Sequence, residues 1–409
     1  MIFLVLSAFL LSISTPLSVA FDNISIAVGV IGLILYFKKI RLKDLDFRVL
    51  GVSAVGLTSS LFSIKPLYSL KNSHYLWHFL PYFIVSRIKR EKLKVILVVL
   101  GGAAILSAFA VIFQAFTGIR INHTHLSALG NIHLLIRPVR AEGLFSAPLT
   151  TAGIIAPLMF IFFSQTLFEK ELKLKVYYSI VFFFTFVALV LNFSRSYWLG
   201  SVAAVLMLPF IYSKNWVSKI IPLSGIALAL LMYIFFPPVH KRVQTVIHYN
   251  RNVSAMDRIA LWEAGINLYK NYNIKYKLIG CGSGNLYHFL KPFLVKSVKV
   301  IFGDKNVKSH LFSSVHNEYL QVLLKWGVVG LLVWLYLWIY VLYKNIVFIK
   351  KTDNEFFRSL AIGLTMGFIA FLVGGFFEHN VGDAEVIILI MFLLGINKNI
   401  LDSLKEGAI

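Results

Sequence analysis

The sequence predicts an all-α integral membrane protein of about twelve transmembrane helices, with one large external loop between the ninth and tenth. Three observations carry that reading. Apolar residues come in long blocks, many near the ~20 residues that cross a bilayer. Charged residues make up only 14% of 409, against roughly 25% in a soluble domain. The basic residues gather in the short stretches between the blocks.

The blocks place spans at roughly 2–20, 24–37, 49–63, 74–86, 95–117, 148–168, 176–192, 197–212, 219–236, 322–343, 359–375 and 385–396. The first lacks a basic leader and a small-residue cleavage site, so it reads as a retained span rather than a signal peptide. With the N-terminus in the cytoplasm, the cytoplasmic stretches are Lys38–Lys43, Arg87–Arg90, Glu169–Lys175, Lys214–Lys219, Lys344–Arg358 and the C-terminal tail. With their flanks these hold 21 basic residues. The short opposite loops hold three, Lys65, Lys71 and Arg195, and that asymmetry sets the orientation.

Two long loops, about 118–147 and 237–321, then fall outside. The second is the largest polar segment. It holds an amphipathic stretch, Ala260–Tyr269, with Asp257 near its start. No internal repeat or soluble domain emerges. The chain reads as a single polytopic membrane domain, 1–409, with 237–321 as a large periplasmic loop containing short helices.

The net charge of +22 would suggest nucleic acid in a soluble protein. Here the lysines and arginines lie in loops, so they mark topology and contact with anionic membrane lipids, and no nucleic-acid partner is expected. Cys281 is the only cysteine, which excludes an intrachain disulfide.

The same topology puts Arg140, Arg195, Arg258, His316, Glu378 and His379 on one side of the membrane. An ionisable residue at a membrane edge is costly to desolvate and is often functional, although an arginine there can also simply snorkel. The planar guanidinium fork binds phosphate oxygens through paired hydrogen bonds. Several arginines together hold a pyrophosphate and stabilise the charge that develops as it leaves. A histidine beside them can take a proton from an attacking hydroxyl. His316 stands just before the tenth span, where it serves as such a base or merely caps the helix.

Other signals point less far. Asp44-Leu45-Asp46 has the form of a metal-binding carboxylate pair but reads as a solvated turn. His123-Thr124-His125 lacks a third ligand at a telling distance, so no metal is expected. Gly280-Cys281-Gly282-Ser283-Gly284 lacks the Gly-Lys-Ser/Thr ending of a phosphate loop and reads as a sharp turn bringing backbone close to a ligand.

Four segments in order carry a family resemblance. They are Arg140-Ala141-Glu142-Gly143-Leu144-Phe145, then Ser194-Arg195-Ser196-Tyr197-Trp198. Arg258 with Trp262 and the glycine turn 280–284 come next. Last is His316-Asn317-Glu318-Tyr319-Leu320-Gln321, followed by Trp326-Gly327-Val328-Val329-Gly330. Over about 140–335 the chain resembles the O-antigen ligase and polymerase superfamily of bacterial membrane glycosyltransferases, and the ligases most.

The resemblance implies a multi-pass inner-membrane enzyme with its active site facing the periplasm. It implies a glycan donor linked to undecaprenyl pyrophosphate, a lipid A-core sugar hydroxyl as acceptor, inversion at the anomeric carbon, and no cofactor. It carries catalytic roles to His316, Arg195 and Arg258. Substrate-binding roles are expected for Arg140, Tyr197, Trp198, Trp262, Asn317, Glu318, Glu378 and His379, the last two from the residue reading alone. The alternatives are an O-antigen polymerase, whose acceptor is a second lipid-linked repeat, and a lipid-linked oligosaccharide transporter. A transporter would carry ionisable residues near the midplane of several spans, and these spans are nearly free of charge.

Overall fold

The computed structural model describes residues 1–121, 140–212, 217–303 and 310–406, so His123 and His125 lie outside the described residues. Among the described residues the chain is helical with no strand. In order the helices are α1 Ile2–Ser14, α2 Val19–Tyr36, α3 Asp44–Leu61, α4 Pro66–Lys71, α5 Tyr75–His78, α6 Leu80–Val85, α7 Leu93–Thr117, α8 Pro148–Phe168, α9 Leu172–Leu191, α10 Arg195–Ile211 and α11 Val217–Phe235. There follow α12 Pro237–Ile247, α13 Val253–Asn271, α14 Ile274–Ile279, α15 Leu286–Phe302, α16 Glu318–Lys351, α17 Glu355–Gly374 and α18 Ala384–Leu401.

Seven of these are long and apolar enough to cross a membrane, among the described residues; α11 makes an eighth if its continuation through a 99° bend into α12 belongs to it, and α1 and α10 are shorter apolar helices. The expected first span shortens to α1, whose 13 residues reach only about 20 Å at 1.5 Å per residue. The expected span at 74–86 divides into α5 and α6, with Pro81 in the first turn of α6. Proline is disfavoured within a helix but suits its first turn, so the division falls where the ring is tolerated.

At the centre lies α18, buried without interruption from Val386 to Ile400. Helices α8 and α17 pack beside it. The spacing Gly363-x-x-x-Gly367 lets α17 approach the backbone of α8 at Phe160, Ile161 and Pro157, where added Cβ atoms would collide. Trp338 of α16 packs its ring against Phe368 and Phe371 of α17. Outward faces stay apolar, with Phe183, Phe210 and Leu332 exposed, as a bilayer-facing surface requires.

The stretch between α11 and α16 has a core of its own. Leu261, Leu268, Leu286, Leu290 and Leu294 are buried together with Cys281. Burying each leucine contributes roughly 1.5–3 kcal/mol, so packing can hold this region. Its helix α13 starts earlier than the periodicity indicates. Asn252 caps it, accepting from the Ala255 amide, while Asp257 pairs with His310 at 2.6 Å.

Asp46 is not in a solvated turn. It is fully buried, pairs with Arg87 at 3.1 Å and accepts from the Tyr82 hydroxyl at 2.9 Å.

Candidate functional site

The site forms at one end of the bundle, where the chain runs into α8, α10 and α16 and between α17 and α18. Among the described residues two non-glycine residues have left-handed backbone, Phe193 at φ 55° and His316 at φ 46°. Each stands just before a helix, ahead of Ser194-Arg195 and of Asn317-Glu318 respectively. Such conformations are uncommon outside glycine and cost of order 1–3 kcal/mol, and they cluster where function fixes the backbone.

Two histidine–carboxylate pairs cross between the start of α16 and the loop after α17. His316 Nδ1 lies 2.9 Å from Glu378 Oε1, and His379 Nδ1 lies 3.1 Å from Glu318 Oε2. An ionised carboxylate only accepts, so both Nδ1 atoms carry the proton and both Nε2 atoms are the basic positions. The two Nε2 atoms then differ. That of His379 is buried and meets Lys325 Nζ at 3.1 Å. The His316 side chain is 31% exposed, so its ring can meet a substrate.

The electrostatics separate the pairs in the same sense. Burial alone would raise the Glu378 carboxyl. The His316 hydrogen bond and charge, the His379 amide and Arg258 outweigh it and hold the group below its ordinary value. Burial and the neighbouring Lys325 push His379 below its ordinary value, against the pull of Glu318. His379 thus links the loop after α17 to Glu318 and Lys325 of α16. Glu318 is also a link. It is 2% exposed and accepts from the Val381 amide at 3.1 Å.

Around the His316–Glu378 pair stand four arginines. Arg195, at the start of α10, donates to Thr245 Oγ1 at 2.7 Å. Arg242 of α12 donates to the Phe193 carbonyl at 3.0 Å, and Arg258 of α13 to the Phe377 carbonyl at 3.2 Å. Arg140 precedes α8, and its Nε is buried without a hydrogen-bond partner among the described residues. Burial first, then Arg140, Arg195 and Arg258, push Arg242 down to about 9. Burial and Arg258 lower Arg140, with Glu378 and Glu142 opposing. A guanidinium keeps its proton in proteins, so these directions describe first the burial of the charges and then their mutual repulsion within a cluster, and an anion offsets both. Arg242 escaped the sequence reading. Its signal was the amphipathic stretch Pro237–Ile247 in the external loop, with an arginine on a short helix.

The other expected residues each bond or pack within the protein. Tyr197 is fully buried, its hydroxyl 3.0 Å from Asn380 Oδ1. Trp198 donates to the Leu189 carbonyl at 2.9 Å. Asn317 caps α16 and donates to the Phe376 carbonyl at 3.0 Å. Trp262 packs its ring against Phe377 at 6.0 Å between centroids.

The glycine turn approaches backbone, not ligand. Helix α16 breaks at Gly327, φ 70° and ψ −174°. There the amides of Cys281 and Gly282 donate to the carbonyls of Leu324 and Lys325, at 3.1 and 2.9 Å. A Cβ at Gly280 would strike the Lys325 carbonyl, and one at Gly327 the Leu278 carbonyl. The turn therefore closes the short helix that carries Glu318 and Lys325.

Fold and site together define a multi-pass helical membrane protein with an arginine cluster set around a histidine–glutamate pair at one end. Residues 180–335 match the family model described as O-antigen ligase, so this segment is similar to the O-antigen ligase superfamily. No curated protein matches the chain. The matched segment contains Arg195, Arg242, Arg258 and His316.

Proposed function

We propose that the chain is an O-antigen ligase. It transfers a glycan from undecaprenyl pyrophosphate to a sugar hydroxyl of lipid A-core at the periplasmic face of the bacterial inner membrane. The observation that carries the reading is the juxtaposition of four coupled arginines with the His316–Glu378 pair.

Arg195, Arg242, Arg258 and Arg140 hold the pyrophosphate by charge and paired hydrogen bonds, without a metal or cofactor. His316 Nε2 takes the proton of the acceptor hydroxyl, while Glu378 holds Nδ1–H and stabilises the imidazolium that forms. The acceptor oxygen attacks the anomeric carbon in line. The bond to the phosphate oxygen breaks, undecaprenyl pyrophosphate leaves, and the configuration inverts. Negative charge gathers on the leaving group in the transition state, where the arginines stabilise it most.

The test is lipopolysaccharide capping in a ligase-deficient strain carrying the unaltered gene or single variants, with membrane levels matched. The unaltered gene is expected to restore capping. His316→Ala is expected to lower it by about 10²–10⁴-fold, the usual worth of a general base. Arg258→Ala or Arg195→Ala is expected to lower it by about 10²–10³-fold. Failure of a well-expressed unaltered gene there, with restoration of chain length in a polymerase-deficient strain, would replace ligase by polymerase.

A further inference from the structure

At the end of the bundle opposite His316, the starts and ends of α3, α16 and α18 enclose a cavity of about 510 Å³. It lies some 35 Å from the site, counting about 1.5 Å per residue along α16 from Gly327 to Lys351. Lys43, Lys344, Lys351 and Lys398 line it, against two acidic residues, Asp44 and Asp402.

Two of the lysines are matched within the protein. Lys43 and Lys398 reach Asp402 at 3.1 and 2.8 Å, and Lys398 also reaches the buried Asp46 at 3.7 Å. Lys344 instead lies over the rings of Tyr340 and Tyr343, at 5.4 and 5.9 Å, and Lys351 is exposed. Ionic pairing thus builds one wall, and two further cations, Lys344 and Lys351, line the cavity. Beside that opening the outward faces of α3 and α16 expose Phe47, Leu50, Ile339 and Tyr343. A headgroup cavity with two cations, next to an apolar helix surface, fits an amphiphile whose phosphate enters and whose chains lie outside. A free phosphoanion has no use for the apolar flank.

We infer that this cavity is a binding site for the phosphate headgroup of an anionic glycerophospholipid. Lys344 and Lys351 are the recognising cations, and Lys43, Lys398 and Asp402 form the ionic wall that shapes it. The site is independent of the transfer chemistry.

The test uses the full chain, purified and stripped of lipid in detergent. Thermal unfolding is followed with dioleoyl phosphatidylglycerol, dioleoyl phosphatidylcholine or inorganic phosphate, and retained lipid is counted by native mass spectrometry. Phosphatidylglycerol is expected to raise the unfolding midpoint and stay bound, and the other two are not. Lys344→Gln/Lys351→Gln is expected to weaken the response about 30-fold, the factor given by about 1 kcal/mol per lysine. Lys344→Arg/Lys351→Arg should keep it. If the glutamine pair fails to fold, Lys351→Glu, altered only at an exposed position, decides. An equal phosphatidylglycerol response in the wild type and the charge variants would overturn the proposal. So would stabilisation by inorganic phosphate matching that by phosphatidylglycerol, which would make this a free phosphoanion site.

Discussion

Glu378 meets His316, and its neighbour His379 meets Glu318, so one short loop orients the exposed histidine and locks itself to α16. Glu378→Gln keeps the shape but turns an acceptor into a group with a donor, and removes the charge that supports an imidazolium. The expected outcome is a loss of capping of about 10²-fold or more, within the range for general-base assistance, with membrane levels unchanged. Lys325→Met should act differently. It removes the buried partner of His379 and is expected to lower thermal stability before it lowers transfer per folded molecule. Asp383 offers a pH signature. It caps α18 and meets Thr150 Oγ1 at 2.5 Å, and burial together with Glu385 pushes its carboxyl above the usual range. A carboxyl raised on folding favours the folded state while protonated, so its contribution is full below the unfolded value near pH 4. It declines as pH rises through the raised folded value. Asp383→Asn keeps a cap and removes that titration. The unfolding midpoint of the variant should fall less than the wild type's between pH 4 and neutrality. Parallel curves would mean that Asp383 is ionised in the fold.

Helix α16 owes its break to a partner some fifty residues earlier in the chain. The turn at Gly280 and the break at Gly327 interlock backbone to backbone. Gly327→Ala is therefore expected to destabilise by more than the ~1–2 kcal/mol of a left-handed residue alone, because Leu278 must also move. Gly118, at φ 73° with open space around its Cβ direction, supplies the comparison. Gly118→Ala should cost only the backbone term, and the order of the two unfolding midpoints is the measurement. These elements also show what was legible in advance. Long apolar runs gave α7, α8, α9, α17 and α18, since a helix in lipid must be apolar along its length. The break in α16 and the division at Pro81 were not legible, since each depends on local geometry within an apolar run. Asp46 looked solvated because its partners, Arg87 and Lys398, lie far off in sequence. In the site, motif arginines and His316 stood out as charges among apolar residues. Arg242 joined them only through a helix packed back on Phe193.

The whole molecule is polar along the bundle axis, with arginines and the histidine–glutamate pair at one end and a lysine-rich cavity at the other. The excess of basic residues in loops at the second end argues that it faces the cytoplasm, where anionic lipid and the membrane potential favour cations. On the proposed orientation the arginine site faces outside, where a donor already carried across the membrane would meet its acceptor. Cysteine labelling tests this with little background, because Cys281, the natural thiol, is buried. Tyr249→Cys would place a thiol at an exposed position near Arg242, and Lys170→Cys at an exposed position in the loop between α8 and α9. A membrane-impermeant maleimide added to intact spheroplasts is expected to label the first and spare the second. Permeabilised membranes should label both. The reverse pattern would put the arginines in the cytoplasm and end the reading of a periplasmic transferase. The first outcome requires α9, α10 and α11 all to cross the bilayer, and labelling of both in intact spheroplasts would mean that one of them, α10 with its 17 residues being the shortest, does not.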